Sequence, residues 1–361
     1  MKLPRSTVVL EAVVATVFAA FPPALRRLLA GRPVRVDDQT LDPDLKLLLR
    51  MERMTEAGTP AATLQRRREH FDVAGALAGG RVPGVGTREM TVPGGEPAVE
   101  LPARLYTPDG LAAGSPLLVF LHGGGWVNGS VDSHDPLCRF LALQAGVRVL
   151  SVGYRLAPEH PFPAAVGDVD AALTYARERA AELGADPTAI AAGGDSAGGN
   201  LAAVVTHRAV RDGRPAPDFL LLFYPACDAA HRSRSRQLFA DGFFLTDADI
   251  EWFCGKYLPT GVARTDPRAS ILLAEDLSGL PPTHLVTAGF DPLRDEGEMF
   301  ARRLAEAGVA VTLRREPDLI HGFASMIAIS VRCREATARA AGAMQVGLSQ
   351  VADRRERAAR G

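Results

Sequence analysis

The chain has 361 residues, 41 basic and 42 acidic, and its net charge of −1 excludes a protein that gathers polyanions through a long-range field. An apolar fraction of 47% with 23% charged residues excludes extended disorder, and 35 glycines and 26 prolines without a period exclude collagen-like and solenoid architectures. Four scattered cysteines (Cys138, Cys227, Cys254 and Cys333), with no CxxC pair, argue against a zinc knuckle or a dense disulfide framework, and a reducing cytoplasm fits best.

At the N-terminus, Lys2 and Arg5 precede an apolar run from Thr7 to Phe21. A secretory signal has this outline, but Glu11 interrupts the run and no small-x-small pattern stands before Phe21-Pro22-Pro23. The run is also too short and too charged to cross a membrane. It reads as a helix, continued by Ala24 to Ala30, that covers an apolar cleft of the same protein in preference to a membrane surface. Secretion or membrane association through this segment is the weaker alternative to a cytoplasmic location.

Two helices are expected over Asp44 to Ala57 and Ala61 to Leu77, opened by Asp42-Pro43 and Thr59-Pro60, each a capping residue followed by proline. From Gly84 onward β-rich runs appear: Arg88 to Val92, Leu101 to Tyr106, Leu117 to Leu121, Val147 to Val152, Ile190 to Ala192, Phe219 to Phe223, His284 to Ala288 and Val309 to Arg314. Several are nearly continuous apolar stretches, as strands covered on both faces require. Helical stretches lie between and after them: Pro136 to Gln144, Ala165 to Leu183, Ala197 to Arg211, Glu296 to Ala307 and Ala324 to Ala341. This alternation predicts an α/β fold with a mostly parallel central sheet of about eight strands flanked by helices. Residues 227–276 break the alternation, with a polar run His231 to Gln237 and a helix Asp247 to Tyr257 opened by Thr246. Such an insertion suits the carboxyl edge of the sheet, where ligands bind in open α/β folds.

Gly194-Asp195-Ser196-Ala197-Gly198 is a GxSxG motif between a strand and a helix, the setting in which a serine on a tight elbow stands exposed above the sheet. A phosphate-binding helix start would need a P-loop lysine or spaced dinucleotide glycines, and neither is present. His122-Gly123-Gly124-Gly125-Trp126 follows the strand Leu117 to Leu121. Consecutive glycines allow backbone N–H groups to approach the oxyanion that forms during acyl transfer. His122 is expected to orient this loop through hydrogen bonds.

In the elbow arrangement the acid and the histidine follow the serine in chain order. Of the later histidines, His207 lies far along the helix leaving the serine, His231 leaves no room for an acid strand, and His284 opens a strand at its far end. His321, in a short loop before Gly322-Phe323, remains. The acid candidate is Asp291, just past the strand His284 to Ala288. Asp295 and Glu296 are rivals, read as structural because a helix start favours acidic residues.

These segments, with Tyr154 to Ala165 (YRLAPEHPFPAA), Gly194 to Ala202 (GDSAGGNLA) and Asp276 to Gly297 (DLSGLPPTHLVTAGFDPLRDEG), resemble the hormone-sensitive-lipase-like branch of α/β-hydrolases, bacterial family IV esterases included. The resemblance implies an α/β-hydrolase fold and a triad of Ser196, Asp291 and His321. It implies oxyanion donors from Gly123, Gly124 and Gly125, chiefly the last two, and from Ala197. It also implies a helical cap from residues 1–80 over a catalytic domain at 81–361, with help from the insertion at about 227–276. The implied activity is hydrolysis of short- to medium-chain carboxylic esters through an acyl-enzyme, with no metal or cofactor. Trp126 and Phe323 flank the catalytic groups and are candidates for the acyl pocket or for plain packing. The expected partner is a small ester, not nucleic acid; membrane contact is not favoured, and homodimerisation stays open. A lipase or amidase is the alternative, and a non-catalytic receptor of the same fold is disfavoured because all three triad positions are occupied.

Overall fold

The structure is a computed structural model, and it describes residues 21–56 and 63–360. The N-terminal apolar run up to residue 20 and the helix start expected at Thr59-Pro60 lie outside the described residues. Among the described residues, an eight-stranded sheet runs in the order β10-β9-β8-β7-β5-β6-β4-β3. Its strands are β3 (Val85–Pro93), β4 (Glu100–Pro108), β5 (Ser115–Leu121), β6 (Arg148–Val152), β7 (Ala185–Asp195), β8 (Phe219–Phe223), β9 (Thr283–Phe290) and β10 (Val311–Ile320). β3 pairs antiparallel with β4, and β4 with β6; every other neighbouring pair is parallel. All eight predicted strands are present.

Alternation along the strands explains the near-continuous apolar runs. In β5, Leu117, Val119 and Leu121 join the core on one face, with α5 (Ala164–Glu178) and α6 (Ala197–Arg211). Leu118 and Phe120 point to the other core, with α4 (Asp135–Ala145) and α10 (Val331–Arg360). β8 divides likewise, Leu220 and Leu222 against Phe219, Leu221 and Phe223.

Three differences from the sequence reading have local causes. A short hairpin, β1 (Arg35–Val36) with β2 (Gln39–Thr40), forms where no strand is expected; Asp37 and Asp38 take left-handed backbone at its turn. The helix expected from Ala324 begins at Val331, because Phe323–Ser325 makes only one 3-10 turn and the Ala328 N–H is spent on Ala78 O. The Ser330 hydroxyl then accepts the Arg332 N–H and opens the helix. The polar run after His231 contains a short helix, α7 (Arg234–Leu238), whose Arg236 is buried between Asp247 and Glu251.

Before the sheet lie α1 (Pro23–Ala30), α2 (Pro43–Glu56), with Asp42 Oδ1 accepting the Asp44 and Leu45 N–H groups, and α3 (Leu64–Gly79), capped by Thr63. α8 (Asp247–Tyr257) opens with a Thr246–Asp249 capping box, and α9 (Arg294–Glu306) follows β9. The four cysteines are buried and unpaired. No described helix is long and apolar enough to cross a membrane.

Candidate active site

The elbow between β7 and α6 holds Ser196 at φ 54°, ψ −118°, a strained conformation for a residue with a side chain. Neighbours over-determine it: the Ser196 N–H donates to Phe223 O at 2.9 Å, and Ser196 O accepts the Asn200 and Ala226 N–H groups. The motif's glycines are required by the crowding of β5 against the elbow. A Cβ on Gly194 or Gly198 would run into Leu121 O.

Ser196 is reachable from solvent, whereas His321 and Asp291 are buried. The Ser196 hydroxyl donates to His321 Nε2 at 3.0 Å, and His321 Nδ1–H donates to Asp291 Oδ2 at 2.8 Å. Asp291 Oδ1 accepts the Leu293 N–H at 2.8 Å, so both carboxylate oxygens are oriented. Tyr224 backs the imidazole, with ring centroids 4.7 Å apart, and its hydroxyl accepts the Ala324 N–H. The three groups expected from the sequence thus meet in one hydrogen-bonded line.

The rivals do not reach His321. Asp295 Oδ2 accepts the Ser235 N–H, and Glu296 Oε1 accepts the Cys227 and Asp228 N–H groups, tying the start of the insertion to α9. Burial pushes the Glu296 carboxyl up to about 8, outweighing those two N–H groups. A carboxyl raised above its unfolded value binds extra protons in the folded state, so its contribution to stability is present below the ordinary Glu range and lost as pH rises through about 8. Glu296→Gln is expected to remove a decline of a few kcal/mol between pH 5 and 8.5. Urea unfolding of both proteins at the two pH values checks this, and parallel declines would contradict it.

The glycine loop after β5 is folded onto the elbow. His122 is buried, its Nδ1 2.8 Å from Gly123 O and its ring stacked on Tyr154 at 4.3 Å, while the Tyr154 hydroxyl donates to His122 O. Burial holds the His122 imidazole down at about 4, so it orients the loop in its neutral form. Of the four expected oxyanion donors, Gly123 is corrected: its N–H is already spent on Asp195 Oδ1 at 2.8 Å. The Gly124, Gly125 and Ala197 N–H groups have no acceptor among the described residues. Gly125 sits at φ 62° with the Phe253 ring of α8 pressed on it, where a Cβ would collide.

Trp126 and Phe323 also need correction as pocket walls. Trp126 stacks on Tyr257 at 4.4 Å within the core, and Phe323 is fully buried against Phe223 and Tyr224. The aromatic groups that reach the surface here come from the insertion: half-buried Phe253 over Gly125, and exposed Phe244 beside Gly322. Two further residues escaped the sequence reading. Arg68 of α3 donates to Val127 O and Ala157 O, each at 2.8 Å, and no local pattern marks it. His134 lies 3.1 Å from Asp195 Oδ1 and precedes Ser196, so a rule that looks only downstream passes over it. Burial raises the Asp195 carboxyl, but His134 and the Gly123 N–H outweigh it and hold the carboxyl below its ordinary range. Among the described residues no three His, Cys, Asp or Glu side chains cluster in a way that would hold a metal ion.

A family model described as alpha/beta hydrolase fold matches residues 118–325. The chain is 46% identical over 338 residues to the carboxylic ester hydrolase LipN of Mycobacterium tuberculosis, covering 91% of this chain and 89% of that one. It is 38% identical over 301 residues to an ethyl acetate hydrolase of Pseudomonas putida, covering 80% and 93%. Among solved structures, an alpha/beta hydrolase from the metagenome of Lake Arreo superposes with a TM-score of 0.80 at 40% identity, over 86% of this chain and 99% of that one. The chain belongs to the alpha/beta hydrolase fold family, in its hormone-sensitive-lipase-like branch.

Proposed function

We propose that the protein is a serine carboxylesterase whose triad is Ser196, Asp291 and His321. The observation that carries this reading is the unbroken line from the Ser196 hydroxyl through His321 to a fully buried Asp291. Ser196 Oγ attacks the ester carbonyl while His321 Nε2 takes its proton, and Asp291 fixes the imidazole tautomer and stabilises the imidazolium. The N–H groups of Gly124, Gly125 and Ala197 hold the oxyanion. The imidazolium then protonates the leaving alcohol, and a water activated by His321 hydrolyses the acyl-enzyme.

The names of relatives support ester substrates: carboxylic ester hydrolase, carboxylesterase and ethyl acetate hydrolase. Phe253 on Gly125 and Phe244 beside Gly322 crowd the approach and favour a short acyl group. In this reading α3, held to the oxyanion loop by Arg68, and the insertion at 227–276 form the cap expected from the N-terminal region and the insertion. The near-neutral charge supports an uncharged small substrate over a polyanion, and the buried, unpaired cysteines support a cytoplasmic location.

The test is a profile across p-nitrophenyl esters with acyl chains of two to sixteen carbons. The expected result is a maximum at short chains and a fall of at least about tenfold at the longest. A rise at long chains that appears only above substrate solubility would favour the lipase alternative.

A further inference from the structure

Behind the oxyanion loop lies a buried polar chain that the triad mechanism does not use. Asp195, next to the nucleophile, accepts the Gly123 N–H at 2.8 Å through Oδ1, and the same oxygen is paired with His134 Nε2 at 3.1 Å. On the other side of the ring, His134 Nδ1 lies 2.9 Å from Ser133 Oγ, and that hydroxyl accepts the Ser130 N–H and donates to Ser130 O. Ser130 Oγ donates to Asp72 Oδ1 on α3 at 2.8 Å. Asp195, His134 and Ser133 are all buried.

The geometry matters because Gly123 is the residue before the two free oxyanion donors. Asp195 is fixed at one end by the elbow and at the other holds Gly123, so its carboxylate sets the spacing between the nucleophile and the loop. A carboxylate held by Gly123 alone can rotate; a second donor on the same oxygen pins it. We infer that His134 is a positioning residue for this reaction: its Nε2–H locks Asp195, and through Asp195 the placement of the Gly124 and Gly125 N–H groups relative to Ser196. His134 touches neither the triad nor the substrate. Small displacements of oxyanion donors matter in the transition state more than in the bound ester, so its loss acts on kcat.

The inference rests on the esterase reading above, and the experiment separates the two. His134→Met keeps the side-chain size without an N–H donor, and His134→Gln restores an N–H near the Nε2 position. With p-nitrophenyl acetate, His134→Met is expected to lower kcat about 10- to 100-fold with KM within about threefold of wild type. Inhibition by a trifluoromethyl ketone, which becomes a tetrahedral adduct at the serine, is expected to weaken by the same factor as kcat/KM. His134→Gln is expected to return kcat to within about threefold of wild type. Unchanged kcat in His134→Met, a change confined to KM, or equal losses in Met and Gln variants would overturn the inference. The last result would mark packing of the ring, not its N–H, as what matters. A wild-type protein inactive on every ester would refute the esterase reading itself.

Discussion

Ser196→Ala is expected to lower kcat on p-nitrophenyl acetate by about 10⁵- to 10⁶-fold while leaving the fold in place. The size of the loss follows from what the hydroxyl does. It supplies the nucleophile, and without it the acyl-enzyme route does not exist, so only the oxyanion donors and binding act on an attacking water. The fold is expected to survive because the contacts that hold the elbow are made by the backbone: Ser196 N–H to Phe223 O, and Asn200 and Ala226 N–H to Ser196 O. Alanine at φ 54° carries the same backbone strain as serine and gives up only the bond to His321 Nε2. A thermal melt within about 3 °C of wild type is therefore expected alongside the loss of turnover. Steady-state kinetics and circular dichroism on the same preparation check both halves.

Asp291→Asn is expected to lower kcat about 10⁴-fold, the cost of presenting the imidazole in the wrong tautomer. Asp291 is fully buried, and its Oδ1 already accepts the Leu293 N–H, so an asparagine keeps its carbonyl there and turns its NH₂ toward His321 Nδ1. An NH₂ donor at that point requires Nδ1 to accept, which places the proton on Nε2, facing Ser196. The serine then has no base. Asp295→Asn, by contrast, alters only the contact with the Ser235 N–H and with Arg294, and kcat is expected to stay within about threefold. The ratio of the two losses, measured at one pH with the same ester, identifies the acid among the neighbouring carboxylates. Comparable losses would mean that the line from His321 to Asp291 does not serve the reaction.

Much of this site was legible in the sequence because its chemistry is written in local patterns. GxSxG fixes an elbow within five residues, three glycines after an apolar strand signal a close backbone approach, and the eight strand runs carry the apolar character that cover on both faces demands. The parts that were not legible depend on partners far along the chain. Nothing in the HGGG run tells that the Gly123 N–H is claimed by a carboxylate 72 residues away, leaving Gly124 and Gly125 as the free donors. Trp126 and Phe323 sit beside catalytic groups in sequence, but Tyr257 and Tyr224 draw their rings into packing, and the half-buried Phe253 and exposed Phe244 beside the site come from the insertion instead. The start of the last helix shifted to Val331 because a backbone N–H at Ala328 found an acceptor on α3, a contact no propensity records. His134 was missed for a different reason: chain order is a rule about the triad, and a residue that acts through Asp195 is free to come before the serine.

The central claim is that Ser196 is a nucleophile activated by His321, and labelling with a fluorophosphonate followed by peptide mass spectrometry tests it most directly. The expected result is one phosphonyl adduct per chain, on the peptide that contains Ser196, formed rapidly in the wild type, much more slowly in His321→Ala, and not at all in Ser196→Ala. An adduct on another residue, or labelling of Ser196→Ala at the wild-type rate, would contradict it.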